Sequence, residues 1–132
     1  LKKLLSWLLR RRQIASCYDE AFKPLASSGL ESLLVKDGRD HAYHLYVVLF
    51  DDALAREAAF KILRDKGIGA NVHYLPIHLH RYYRETLGTQ PGLCPVSERA
   101  YDRLLSLPMH QGMGDADVER VIDGVFRLFS AI

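Results

Sequence analysis

Between Gly67 and Tyr83 the chain gathers three histidines (His73, His78, His80), three tyrosines (Tyr74, Tyr82, Tyr83), Pro76 and Arg81. Imidazoles, phenols and a guanidinium combine flat apolar faces with hydrogen-bonding tips, which suits a polar, ring-bearing ligand better than a core. Pro76 follows His73-Tyr74-Leu75 directly and restricts the backbone there, holding the direction of the two rings as a binding site requires. The plainer alternative is a strand end that leaves two rings at the rim of a domain. A metal fits the cluster poorly. The spacing of His73, His78 and His80 matches no zinc helix motif, and no carboxylate follows until Glu85. There is no glycine-rich phosphate loop, no Gly-x-Ser-x-Gly elbow and no paired-cysteine spacing.

The elements that must carry this stretch follow from periodicity. Leu1, Leu4, Leu5, Leu8, Ala15, Tyr18, Phe22 and Leu25 predict a long amphipathic helix, stopped near Pro24 by Ser27-Ser28-Gly29. Arg10-Arg11-Arg12 within it reads as a solvated face, as do Arg39 and Arg81 singly. Tyr43 to Phe50 is nearly continuously apolar and predicts a central strand covered on both faces, with Tyr43, His44 and Tyr46 in the core or behind the site. Asp51 or Asp52 caps a helix striped by Leu54, Ala58, Ala59, Ile62 and Leu63, which ends at Lys66-Gly67. Gly69 to Tyr74 predicts a second short strand, which Pro76 ends. Then come a short helix over Arg81 to Leu87, a helix from about Val96 to Leu105, a brief third strand at Leu105 to Pro108, and a closing helix capped near Gly114 to Asp117. The fold expected is a small α/β sandwich: a short mixed or antiparallel sheet of about three strands packed by helices. Residues 1–28 form the long linking helix and residues 29–132 the small domain.

Composition sets the outer bounds. At 132 residues, 48% apolar and 26% charged, the chain is one ordinary domain, and a net charge of +2 is too small for a nucleic-acid surface. Cys17 and Cys94 lie far apart with no secretory segment ahead of them, which predicts a reduced, cytoplasmic setting. No run of eighteen apolar residues is present to span a membrane. The absence of an initiating methionine points to a piece of a longer protein.

Four stretches carry a family likeness. Val72-His73-Tyr74-Leu75-Pro76-Ile77-His78 with Tyr82-Tyr83, Pro95-Val96-Ser97-Glu98-Arg99-Ala100, Leu105-Ser106-Leu107-Pro108-Met109-His110, and Asp115-Ala116-Asp117-Val118-Glu119-Arg120-Val121-Ile122 resemble the C-terminal part of the DegT/DnrJ/EryC1/StrS family of pyridoxal-phosphate-dependent sugar-nucleotide aminotransferases. The opening helix resembles the one that joins the family's large domain to its small one. The likeness is greatest to the pseudaminic-acid branch, which aminates a UDP-linked 4-keto-6-deoxy-N-acetylhexosamine. It implies substrate contact by His73, Tyr74, Leu75 and Pro76, and secondarily by His78. It also implies that the cofactor lysine and phosphate-binding residues belong to a large domain. Lys2, Lys3, Lys23, Lys36, Lys61 and Lys66 stand in no context like the Schiff-base motif, so this chain alone is expected to hold no cofactor and to be inactive. A missing large-domain partner, or self-association through the first helix, is the partnership expected. A stand-alone sugar-nucleotide-binding or protein-interaction module is the alternative from another class.

Overall fold

The computed structural model describes residues 2–130. Helix α1 (Leu4–Phe22) buries Ile14, Ala15, Tyr18 and Phe22 from its second half only. Its first turns leave Leu4, Leu5, Trp7 and Leu9 in solvent, and Leu1, expected in the same stripe, lies outside the described residues. Pro24 opens a 3-10 turn over Lys23–Ser28 that ends at Gly29. There φ is +90°, and the Asp51 carboxylate fills the space a side chain would need, so only glycine is accommodated.

Three antiparallel strands form one open sheet in the order β1 (Leu30–Ser32), β2 (Tyr46–Phe50), β3 (Leu104–Leu107). Leu30 pairs with Phe50 on one side of β2, and Tyr46 with Leu107 on the other. Helices α2 (Ala53–Asp65), α3 (Arg81–Leu87), α4 (Pro95–Arg103) and α5 (Asp115–Phe129) complete the described residues. The core lies between β2 and the helices α1 and α5: Tyr46 meets the ring of Tyr18 edge-on at 4.9 Å, and Phe50 stacks on Phe129 at 6.4 Å. The α/β architecture and the small antiparallel sheet are as the sequence predicts.

The strand positions differ in part. The segment expected as a strand from Gly69 to Tyr74 makes a single bridge, Asn71 to Ser106 on the free edge of β3. Its neighbours spend their donors locally: Ala70 N–H bonds back to the Ile68 carbonyl at 2.8 Å, and Val72 N–H to the Asn71 side chain at 2.9 Å. The third strand of the sheet is instead β1, too short for a period-2 signal. β2 starts at Tyr46 rather than Tyr43, because Tyr43 takes a φ of +47°. Val47 and Leu49 are only half-buried, so β2 is sealed on one face and partly covered on the other. Asp52, not Asp51, caps α2, accepting from Ala55 N–H at 2.8 Å.

Two of the three arginines depart from the solvated face expected for the run, and Arg12 keeps to it. Arg10 donates to the Met113 carbonyl at 2.8 Å and pairs with Asp115. Arg11 donates to the carbonyls of Tyr43 (2.7 Å), His44 (3.2 Å) and Met109 (3.2 Å), while Arg12 reaches Asp40 at 3.5 Å. Arg10 and Arg11 staple two loops to α1, and a sequence pattern cannot see this because most of their acceptors are backbone carbonyls distant along the chain.

Candidate functional site

The site is built around the two ends of one exposed loop. At its start, His73 stands beside β3, with Nδ1 2.9 Å from Ser106 Oγ and Nε2 3.1 Å from Asn71 Nδ2. The Asn71 side-chain oxygen already accepts from Val72 N–H, so its NH2 faces the imidazole. His73 Nε2 must then accept, which leaves the proton on Nδ1, donated to Ser106. Both ring nitrogens are occupied in a neutral ring. What His73 can offer a ligand is its flat face, against whose edge the Tyr74 ring packs at 4.8 Å. The peptide bond between these two residues is cis. Tyr74 itself is 70% exposed and its phenol is free to donate and accept.

At the other end, Pro76 is buried and starts a 3-10 turn over Ile77–Leu79. His78 within that turn is only 8% exposed. Its Nε2 lies 2.7 Å from Glu98 Oε1, and its carbonyl accepts from Thr89 Oγ at 2.7 Å. A carboxylate only accepts, so Nε2 carries the proton. Glu98 also receives the N–H groups of Gly92 (2.9 Å) and Cys94 (3.1 Å). The Gly92 N–H first, and then the His78 imidazole, hold the Glu98 carboxyl below the usual glutamate range, against an opposing push from burial. With a depressed folded-state pKa, this latch contributes fully above the unfolded value and is lost as pH falls through the lower folded one. The amide resonances of Gly92 and Cys94 are therefore expected to stay unmoved through the usual glutamate range and to shift together only below it. A midpoint at the ordinary value would show that Glu98 is not ionically held.

His73 also lines a cleft of about 640 Å³ between the 67–71 segment, the end of β3 and α5, together with His44, Asn71, Ser106 and His110. His73, Tyr74, Leu75 and Pro76 thus share one loop whose start borders the cleft, while His78 is turned away into the latch. His80 closes the loop from behind, its Nε2 3.2 Å from the Leu75 carbonyl. Sequence reasoning passed over Asn71, Ser106, Thr89 and Glu98 as partners. Ser106 carried a usable signal: it is the one hydroxyl in the strand Leu104–Leu107 and is 2% exposed. Among the described residues no group of three His, Cys, Asp or Glu converges as metal ligands would, and no helix is long and apolar enough to cross a membrane.

Pyridoxal phosphate needs a lysine amine to hold its aldehyde and cationic or backbone donors for its phosphate. No lysine lines the cleft. The arginine that does, Arg120, is committed to the Lys66 carbonyl at 2.9 Å. The residues lining this cleft do not by themselves make a site for that cofactor.

The fold and this loop define a class. The profile of the DegT/DnrJ/EryC1/StrS aminotransferase family matches residues 1–126, and the chain belongs to that family. It is 38% identical over 129 residues to the spore coat polysaccharide biosynthesis protein SpsC of Bacillus subtilis, covering 95% of this chain and 33% of SpsC. The crystal structure of the aminotransferase TlmJ from Streptoalloteichus hindustanus superposes with a TM-score of 0.87 at 34% identity, over 98% of this chain and 34% of TlmJ. Helicobacter pylori PseC, an aminotransferase involved in the biosynthesis of pseudoaminic acid, superposes at 0.88 with 28% identity, over 100% and 35% of the two chains. The chain therefore spans about a third of the length of the relatives it matches.

Proposed function

We propose that this chain is the small domain of an aminotransferase that acts on a nucleotide-linked 4-keto-6-deoxy sugar. The observation that carries the proposal is the loop from Tyr74 to Ile77, exposed at Tyr74 and tied down at both ends by a histidine with its ring nitrogens or carbonyl engaged. Such a loop presents an aromatic face and a phenol without having to be ordered by the ligand. The family and the likeness to PseC, an aminotransferase of pseudoaminic acid biosynthesis, support amino-group transfer to a sugar. Within that class, our reading takes glutamate as the donor and the C4 ketone of a UDP-linked N-acetylhexosamine as the acceptor.

Pyridoxal phosphate, bound by a large domain, would supply the carrier for the amino group and the electron sink. The part of this chain is to bind and orient. The His73 face and the Tyr74 ring give the sugar or base a surface to lie on, and Leu75 and Pro76 exclude water beside it. His78 holds the end of the loop. Both nitrogens of His73 are engaged by Asn71 and Ser106, so its part in binding is to present the ring face. The exposed apolar turns of α1, with Leu5 75% and Leu9 60% exposed, support cover by a large domain or by a second copy.

The test joins this chain in frame to the TlmJ large domain and supplies glutamate and a UDP-4-keto-6-deoxy-N-acetylhexosamine. The expected result is a 4-amino sugar nucleotide, with Tyr74→Ala raising KM roughly tenfold while kcat changes less, as loss of ground-state binding requires. A cofactor-loaded chimera that aminates no nucleotide-linked 4-keto sugar would overturn the activity. A Tyr74→Ala chimera with unchanged KM would overturn the substrate contact.

A further inference from the structure

Glu98 sits at the start of α4, four residues beyond Cys94, and does not line the cleft that His73 borders. Yet its carboxylate is the common acceptor for three groups from two segments. The Gly92 and Cys94 N–H groups come from the loop after α3, and the His78 imidazole comes from the turn that ends the Tyr74–Ile77 loop. Gly92, at φ +90°, turns the chain so that its N–H and that of Cys94 point at the same carboxylate. Thr89, from the same loop, closes a second tie on the His78 carbonyl. His78 is thereby gripped at ring and backbone at once.

The consequence runs back along the chain. Pro76 is buried and rigid, and Ile77 to Leu79 is one closed turn, so fixing His78 fixes where Leu75 and Tyr74 emerge. The start of the same loop is fixed independently by His73 on Ser106 and Asn71. We propose that Glu98 is the positioning residue of the site: acting through His78, it sets the direction in which Tyr74 and Leu75 are presented to a UDP-linked sugar. This rests on the substrate reading given above, but the ordering of the loop can be measured without any substrate.

The experiment is NMR on the labelled 132-residue chain and its Glu98→Ala and Glu98→Gln variants. In the wild type, His78 is expected to show a slowly exchanging Nε2–H, because that proton is buried and donated to a carboxylate. In Glu98→Ala this signal is lost, and the amides of Tyr74, Leu75 and Ile77 gain fast motion while the methyls of Val48 and Val125 keep their positions. Affinity for UDP-N-acetylglucosamine then falls roughly tenfold, because binding must order side chains that were ordered beforehand. Glu98→Gln, with the same shape but a single accepting oxygen, falls between the two. Should Glu98→Ala fail to fold, Glu98→Gln carries the test and still loosens Tyr74, Leu75 and Ile77, to a smaller degree.

A Glu98→Ala chain, or a Glu98→Gln chain where the alanine variant does not fold, whose Tyr74–Ile77 amides are as rigid as the wild type overturns the proposal. If the wild type does not bind UDP-N-acetylglucosamine while the variants still loosen the loop, the positioning role stands and the substrate reading is the part that fails.

Discussion

Phe22→Ala is expected to destabilise the fold by about 3–5 kcal/mol, the range for removing a fully buried aromatic ring that its neighbours cannot replace. Phe22 is 1% exposed and stacks on Tyr18 at 5.6 Å, with Tyr46 tilted beside it at 6.5 Å. These rings join the second half of α1 to β2, and that joint is where the sheet acquires its sealed face. The surroundings collapse poorly into the gap. Tyr18 is fixed by its own hydroxyl, which donates to the Pro108 carbonyl at 3.0 Å, and Tyr46 by Asp19 and Ser32 at 2.6 and 3.0 Å. A loss of this size is comparable to the whole stability of a marginal domain, about 5–15 kcal/mol. At roughly 3–5 °C per kcal/mol for a chain of this length, thermal unfolding should move down by about 10–20 °C. A fall of less than about 1 kcal/mol in urea unfolding, at unchanged m-value, would mean that the ring cluster is not the joint described here.

Arg11→Met ranks second and bears more directly on the site. Methionine keeps much of the apolar stem and removes the fork, leaving the carbonyls of Tyr43, His44 and Met109 without their donor. Part of this cost is recovered when water reaches the loops, so the net loss is set at about 2–4 kcal/mol. Arg11→Lys should recover only part of it, because a single ammonium cannot reach three carbonyls as a planar fork does. The same two loops carry His44 and His110 to the wall of the cleft. Hydrogen exchange at residues 41–44 and 109–111 should therefore quicken in Arg11→Met well before the core amides change. Uniform quickening across the chain would instead indicate global destabilisation with no local stapling role for Arg11.

Much of the fold was legible because it rests on local signals. The period of α1, the cap and stop of α2, and the apolar run that becomes β2 are written in neighbouring residues, and each element formed where expected to within a few positions. The misplaced third strand shows the limit. β1 is three residues long, and its pairing with β2 is decided by where the turn at Gly29 delivers the chain. The 69–74 run had strand-like composition, but on either side of the Asn71 bridge its donors went to local acceptors, Ala70 N–H to the Ile68 carbonyl and Val72 N–H to the Asn71 side chain.

The sequence by itself determined the residue types gathered in the binding loop, the proline that stiffens it, the apolar helix faces and the family likeness, since all of these depend on identity and spacing. Tertiary structure alone decided how those residues are used. It took both nitrogens of His73 for Ser106 and Asn71, turned His78 inward onto Glu98, left Tyr74 outside, and turned Arg10 and Arg11 from a surface run into staples. The physical reason is common to all four. A polar side chain's role is set by whichever partner meets its donors and acceptors, and here those partners lie up to 105 residues away along the chain, beyond the reach of any local pattern.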